Sequence, residues 1–267
     1  MIVVKFGGHA MRDEDGGFAR AISIAINSGE SVVVVHGGGP QIDKALSSSG
    51  IESKFIGGFR YTTAETFNVV ERVLVTEVGQ GVATALSSGG VPAKAISGRT
   101  LPTLVARKKT SLVDGSPVEL GQVGDVVSVD TREIKSLLSV GKTPVLAPIA
   151  ADADSESGLN VNADLAAAAI AGAMDASSLI ILTDVSGIYR DWPDKGSLIS
   201  TISYKELATM KSTFQEGMAP KVQAILDAID QGAKAVRVID GTDSKNLVDA
   251  FSGIGGTLVS ARTIRSY

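Results

Sequence analysis

The sequence predicts an α/β fold built on a mostly parallel central sheet with helices on both faces. Three observations carry this reading. Short β-branched runs alternate with stretches of helical periodicity, glycine clusters close the first two of those runs, and 30 glycines accompany only 4% aromatic residues in a chain of 267. Alternation of this kind favours parallel strands joined by right-handed helical crossovers. The length suits one extended α/β unit or two fused lobes.

Ile2 to Phe6 reads as a strand, Gly17 to Ser28 as a helix, Ser31 to His36 as a strand and Gln41 to Ser49 as a helix. Thr62 to Leu86 carries apolar residues at helical spacing (Phe67, Val70, Leu74, Val78, Val82), with Gly79 and Gly81 weakening its continuation. From Ala93 to Val129 short alternating runs between Gly-Ser-Pro and Val-Gly-Asp turns predict antiparallel hairpins. The parallel pattern resumes at Pro144 to Ala147, followed by a long polar loop, an alanine-rich helix from Ala163 and a strand at Ser178 to Thr183. Helices over Tyr204 to Lys211 and Met218 to Gln231 precede strands at Ala235 to Ile239 and Thr257 to Val259. No linker or repeat divides the chain, so two lobes sharing one sheet are expected, residues 1–150 and 151–267, with the boundary between Val140 and Ala153.

A net charge of -4 gives no basis for binding nucleic acid or an anionic membrane, both of which call for basic patches. The absence of cysteine rules out disulfides, thiolate metal sites and a cysteine nucleophile. The start of the chain is too soon interrupted by charge for a signal peptide, and the Leu165 to Met174 run is too short to span a bilayer. Cytoplasm is the default location.

Chemistry is expected beyond the carboxyl ends of the parallel strands. Gly7-Gly8 and Gly37-Gly38-Gly39 stand at two such ends, and Pro40 suits the first turn of the following helix, whose amino terminus favours an anion. Neither loop has the dinucleotide pattern or the Lys-Ser/Thr of a P-loop, and turn glycines without a ligand are common. Lys5 lies in an apolar strand, so either it meets an anion or carboxylate or the strand is an edge whose lysine deters pairing. Asn162 suits an N-cap, with Asp164 in the first turn. Lys221 occupies the first turn of a helix, a place unfavourable to a cation unless something negative lies there.

Taken together, six segments in order resemble the motifs of the amino acid kinase family: Lys5-Phe6-Gly7-Gly8, His36-Gly37-Gly38-Gly39-Pro40, Gly58-Phe59-Arg60-Tyr61-Thr62, Leu159-Asn160-Val161-Asn162-Ala163-Asp164, Leu182-Thr183-Asp184-Val185-Ser186-Gly187 and Gly217-Met218-Ala219-Pro220-Lys221. Within the family they lie nearest the branch that phosphorylates N-acetyl-L-glutamate. The resemblance implies a three-layer αβα sandwich of the carbamate kinase type. It also implies ATP with Mg²⁺ as phosphoryl donor and the γ-carboxylate of N-acetyl-L-glutamate as acceptor. By the same resemblance Lys5, Lys221 and Asp164 are catalytic, with Gly8, Gly38 and Gly39 as backbone donors. Gly38, Gly39, Arg60, Asn160 and Asn162 contact the amino acid. Lys5, Gly7, Thr183, Asp184, Val185, Gly187 and Lys221 lie on the nucleotide side, together with the loop to Trp192. His9 and His36 position the glycine loops. The first lobe binds the amino acid and dimerises; the second binds ATP.

Four departures from the family pattern stand out. Gly79-Gln80 replaces an Asn-Lys pair, and Ser97-Gly98-Arg99-Thr100-Leu101 replaces a Ser-Gly-Lys-Asp-Gly stretch. The chain begins in its first strand, without the extra helix of arginine-inhibited hexamers, and Ser244 and Asp249 stand where those carry His and Glu. An arginine-insensitive homodimer is therefore expected, and no residue pattern supports a PII-type regulator. Two other readings stay open: a kinase for aminoadipate or glutamate carried on a small acidic protein, and a catalytically silent ligand-binding member.

Overall fold

The computed structural model describes residues 1–7, 15–112, 114–214 and 218–260. The opening follows the predicted order, with β1 (Ile2–Phe6), α1 (Gly17–Asn27), β2 (Val32–His36) and α2 (Gly39–Ser48). Both strands are buried along their whole length, as unbroken β-branched runs require when a sheet is covered on both faces. A short hairpin, β3 (Phe55–Ile56) and β4 (Phe59–Arg60), precedes α3 (Ala64–Arg72) and α4 (Gly79–Ser88), which are joined without a break by a π-helical turn at Val73–Val78. Then come β5 (Ala93–Ser97), β6 (Leu104–Lys108), β7 (Gly124–Val129), α5 (Arg132–Ser139), β8 (Thr143–Ala147), β9 (Ile149–Asp152) and β10 (Gly158–Asn160). The remainder is α6 (Ala163–Ala173), β11 (Ser178–Thr183), β12 (Thr201–Ser203), α7 (Tyr204–Met210), α8 (Ala219–Asp230), β13 (Ala235–Asp240), α9 (Ser244–Phe251) and β14 (Thr257–Ser260).

Among the described residues the main sheet has eight strands, in the order β12-β14-β13-β11-β1-β2-β8-β5. Six run parallel, while β14 pairs antiparallel with β13 and carries β12 in its own direction. A smaller sheet, β10-β9-β6-β7, packs beside it. The β6–β7 hairpin is antiparallel as expected, whereas β5 belongs to the main sheet, parallel to β8. The polar stretch after Ala147 is not a loop, because it forms β9 and β10, whose alanines and terminal Asn160 have weak strand propensity. Helices α5 and α9 and strand β12 are additions to the elements expected from the sequence.

Residue parity along β1 divides the core. Val3, with Val33, Val35, Leu179 and Ile181, faces the layer of α5, α6, α7 and α8. Ile2, Val4 and Phe6 face α1, α2, α3, α4 and α9. The result is a three-layer αβα sandwich. Lys5 shares the face of Val3, so its side chain is directed toward α6 and α8. β1 is paired on both sides, Lys5 standing opposite Ile181 and Val35, which excludes the edge-strand reading of this lysine.

The π turn explains Gly79. The helix does not weaken there; it passes directly under the imidazole of buried His36, and a Cβ on Gly79 would stand 3.0 Å from His36 Nε2 and 3.1 Å from the Leu74 carbonyl oxygen. Helix propensity alone would make Gly79→Ala stabilising by about 1 kcal/mol. Crowding should reverse the sign, and urea unfolding of Gly79→Ala should show a loss of about 1–3 kcal/mol.

Candidate active site

The carboxyl ends of β1 and β2 meet the amino termini of α2, α6 and α8. Lys5 Nζ lies 2.9 Å from Asp164 Oδ1, and Lys221 Nζ lies 3.1 Å from Asp164 Oδ2. Lys221 donates a hydrogen bond, while Lys5 approaches its oxygen as a charge contact outside hydrogen-bond angles. The side chains of Lys5, Asp164 and Lys221 retain 9%, 5% and 22% exposure, so the triad is closed below and open chiefly at Lys221. Burial by itself would raise the Asp164 pKa, yet the two ammonium groups hold it well below the ordinary carboxylate range. Its place in the first turn of α6 adds the favourable end of the helix dipole. Three charges make a net cation of one unit, and Asp164 takes one donor from Lys221 and none in hydrogen-bond geometry from Lys5, so most donors of both ammonium groups stay available. The arrangement is suited to an anion that accepts from both lysines.

The glycine loops pack back to back. A Cβ on Gly7 would stand 3.2 Å from Lys5 Nζ and 3.4 Å from Gly37 Cα, so a side chain there would displace the lysine. Gly37 N–H donates to the Phe6 carbonyl at 2.7 Å. A Cβ on Gly38 would collide with Leu74 at 2.6 Å, whereas Gly39 opens onto free space. His36 Nδ1 lies 2.8 Å from the Gly37 carbonyl oxygen. A carbonyl only accepts, so Nδ1 carries the proton and Nε2 is a bare, buried acceptor without a donor among the described residues. Gly8 and His9 lie outside the described residues, as does Gly217.

Arg60 is buried, with its guanidinium 2.6 Å from Asp43 Oδ1, hydrogen-bonded to the Ser53 hydroxyl, and 4.6 Å from the centre of the Phe55 ring. Asp43 on α2 was not expected from the sequence; a charged residue one helical turn after the glycine triplet was the available signal. Asn160 Nδ2 donates to Thr62 Oγ1 at 3.3 Å, and Thr62 Oγ1 donates to the Arg60 carbonyl at 2.8 Å, so one buried threonine joins Arg60 and Asn160. Asn162 caps α6, its Oδ1 accepting from Asp164 N–H and Leu165 N–H. Arg99, one of the departures, ties α3 to the β9–β10 turn through Glu71 Oε1 at 3.0 Å and the Glu156 carbonyl at 2.9 Å.

On the other side of Lys221 lies a cleft of about 510 Å³ lined by Thr183, Val185, Tyr189, Trp192 and Phe214 among others. Thr183 Oγ1 donates to Asp184 Oδ1 at 3.1 Å. Gly187 packs on Thr257, where a Cβ would come within 2.4 Å of the hydroxyl. The structure thus brings Lys5, Gly7, Asp164 and Lys221 together, puts Thr183, Asp184 and Val185 along one cleft with Lys221, and groups Arg60 with Asn160. Among the described residues no set of three His, Cys, Asp or Glu side chains is arranged for a metal, and no helix is long and apolar enough to cross a membrane.

Residues 1–240 match the model of the amino acid kinase family. Acetylglutamate kinase of Kineococcus radiotolerans is 42% identical over 97% of this chain and 90% of its own length. Among solved structures, the smu.665 protein of Streptococcus mutans superposes with a TM-score of 0.81 at 27% identity, covering 98% of both chains. Carbamate kinase from Giardia lamblia bound to AMP-PNP shares the fold, with a TM-score of 0.72 at 18% identity over 98% of both chains.

Burial pushes the His36 pKa from 6.5 down to about 4, partly opposed by its bond to Gly37. The unfolded chain therefore takes up this proton near pH 6.5 while the native protein refuses it until about pH 4. The resulting stability is complete above the unfolded value and lost as pH falls through that window, about 3 kcal/mol in all. Asp164 titrates in a more acidic range and does not interfere. Denaturant unfolding should show this loss between pH 7 and pH 4, and His36→Asn, which keeps a donor near the Nδ1 position, should remove it.

Proposed function

The chain belongs to the amino acid kinase family, and on that premise we propose that it transfers the γ-phosphoryl group of ATP to the γ-carboxylate of N-acetyl-L-glutamate, giving N-acetyl-L-glutamyl 5-phosphate in the arginine-forming sequence. The observation that carries the proposal is the single buried carboxylate shared by two lysines, beside the packed glycine loops and at the edge of the cleft that Lys221 lines. A carboxylate nucleophile is already ionised at neutral pH, so the protein needs no general base; it needs positive charge and alignment.

In this reading the acceptor oxygen forms its bond to the γ-phosphorus as the bond to the β,γ-bridging oxygen breaks, and ADP departs with that electron pair. Lys5 neutralises the equatorial oxygens of the migrating group from the acceptor side, and Lys221 the charge growing on the leaving phosphate. Asp164 keeps both ammonium groups aimed at one point. Backbone N–H groups of Gly38 and Gly39 complete the donor set at the start of α2, and the family resemblance gives Gly8 the same role. Arg60 takes the α-carboxylate with its remaining donors, while Asn160 and Asn162 fix the acetamido end. Thr183, Asp184, Val185 and Gly187 border the nucleotide.

Mg²⁺ fits this donor set as an ion held mainly by the ATP phosphates, because Asp164 is already engaged by two lysines; its chemistry is to offset charge on the β- and γ-phosphates. Residues 1–150 form the acceptor and dimer lobe and residues 151–267 the nucleotide lobe of a cytoplasmic homodimer. β5 is the terminal strand of the main sheet, and in this reading its outer edge lies on the dimer lobe.

A coupled assay of ADP release should show turnover that depends on free N-acetylglutamate. Equal ADP release without an acceptor, or turnover only with a carrier-linked acidic substrate, would reject the proposal. Lys221→Ala should lower kcat by about 100-fold or more with the KM for N-acetylglutamate nearly unchanged. A kcat close to that of the native enzyme would remove Lys221 from its assigned role.

A further inference from the structure

Thr257 lies outside every motif above, yet its hydroxyl closes the neck of the loop that borders the candidate nucleotide cleft. From Ile188 to Ile199 the chain leaves the sheet and returns on itself. Ile199 N–H donates to the Ile188 carbonyl at 2.8 Å, Arg190 N–H donates to the Ser197 carbonyl at 2.9 Å, and Tyr189 and Leu198 form an antiparallel bridge. Trp192, near the tip, is 61% exposed and meets Tyr189 edge-on with ring centres 5.2 Å apart.

Both feet of this loop converge on the one hydroxyl. Thr257 Oγ1 accepts from Ile188 N–H at 2.8 Å and donates to the Ile199 carbonyl at 2.5 Å, and the residue is fully buried at the start of β14. The glycine at 187 belongs to the same contact, since a Cβ there would come within 2.4 Å of Thr257 Oγ1. The neck is buried, so loss of the hydroxyl would strand a buried donor and a buried acceptor at once.

We propose that Thr257 is a positioning residue for the nucleotide: by tying both feet of the 188–199 loop to β14, it sets the place of the aromatic wall opposite Lys221. The proposal rests on the reading of that cleft as the nucleotide site. The contacts of Arg60 and Asn160 lie on other elements and do not pass through Thr257, so its removal should weaken nucleotide binding and spare the acyl amino acid.

Trp192 is the only tryptophan in the chain, so selectively excited tryptophan emission reports on this loop alone. ATP titrated into the full-length enzyme should change the emission of the native protein and of Thr257→Ser with similar affinity. Thr257→Val should raise the Kd and KM for ATP about tenfold, the equivalent of about 1.4 kcal/mol for a stranded buried pair. Its calorimetric affinity for N-acetylglutamate should stay within about twofold of native. Native-like ATP affinity in Thr257→Val, or a Thr257→Ser protein as weak as Thr257→Val, would overturn the pin. Absence of any ATP binding by the native enzyme, in fluorescence and calorimetry alike, would overturn the nucleotide reading and the pin with it. Should Thr257→Val fail to fold, hydrogen exchange of the native enzyme decides: slow exchange of the Ile188 amide in step with β14 is expected, and rapid exchange at Ile188 beside a protected β14 would refute the proposal.

Discussion

A carboxylate with 5% of its side chain exposed, held between two ammonium groups, is the constraint around which the molecule is arranged. Removing three charges from water is costly, and attraction within the triad offsets the cost only where distances stay near 3 Å, as they do here at 2.9 and 3.1 Å. The pairing also leaves an imbalance, two positive charges against one negative, in a place screened from solvent on most sides. Such a site is poised for an anion before any anion arrives. Under the proposed function that anion is the migrating phosphoryl group, and its positive partners are already held in place.

The sheet makes that triad possible. Because β1 is central and alternates its faces, one lysine in an otherwise apolar strand is carried beneath α6 and α8 instead of toward solvent. α6 can lie close to the sheet because its buried face is mostly alanine, and close to α8 because Gly172 sits where a Cβ would strike Gln231 at 2.4 Å. Asp164 and Lys221 then meet across two neighbouring helix amino termini, with the carboxylate favoured and the ammonium disfavoured by the local dipoles. The ammonium remains because the carboxylate is there to receive it.

Much of this was legible in the sequence, and for identifiable reasons. Unbroken runs such as Val32 to Val35 announce strands covered on both faces, and the glycines at 7 and 37–39 mark the exits where loops converge. Asn162 was readable as a cap because its chemistry is local. Partners distant in sequence were not: Asp43 for Arg60, Thr62 for Asn160 and Thr257 for Ile188 are contacts that no periodicity encodes. Gly79 was only partly legible for a related reason. Its effect on the helix is a local property, but its purpose is to make room for His36, which stands on another element. Strands β9 and β10 were missed because alanine and asparagine say little about pairing until a neighbour, here β6, is in place.

The central place of β1 also bears on how the molecule comes together. Its two neighbours, β2 and β11, lie far apart along the chain, one following almost at once and the other only after the whole smaller sheet and α6. One flank of the oldest strand must wait, its backbone groups and its lysine unmatched, until a late segment returns to cover it. Pairings of such long sequence separation are slow to form and open to competition from neighbouring chains. The feature that makes the finished fold robust thus makes its assembly order exacting, and nascent chains halted before α6 would carry a raw seam where the lysine–carboxylate triad is to be.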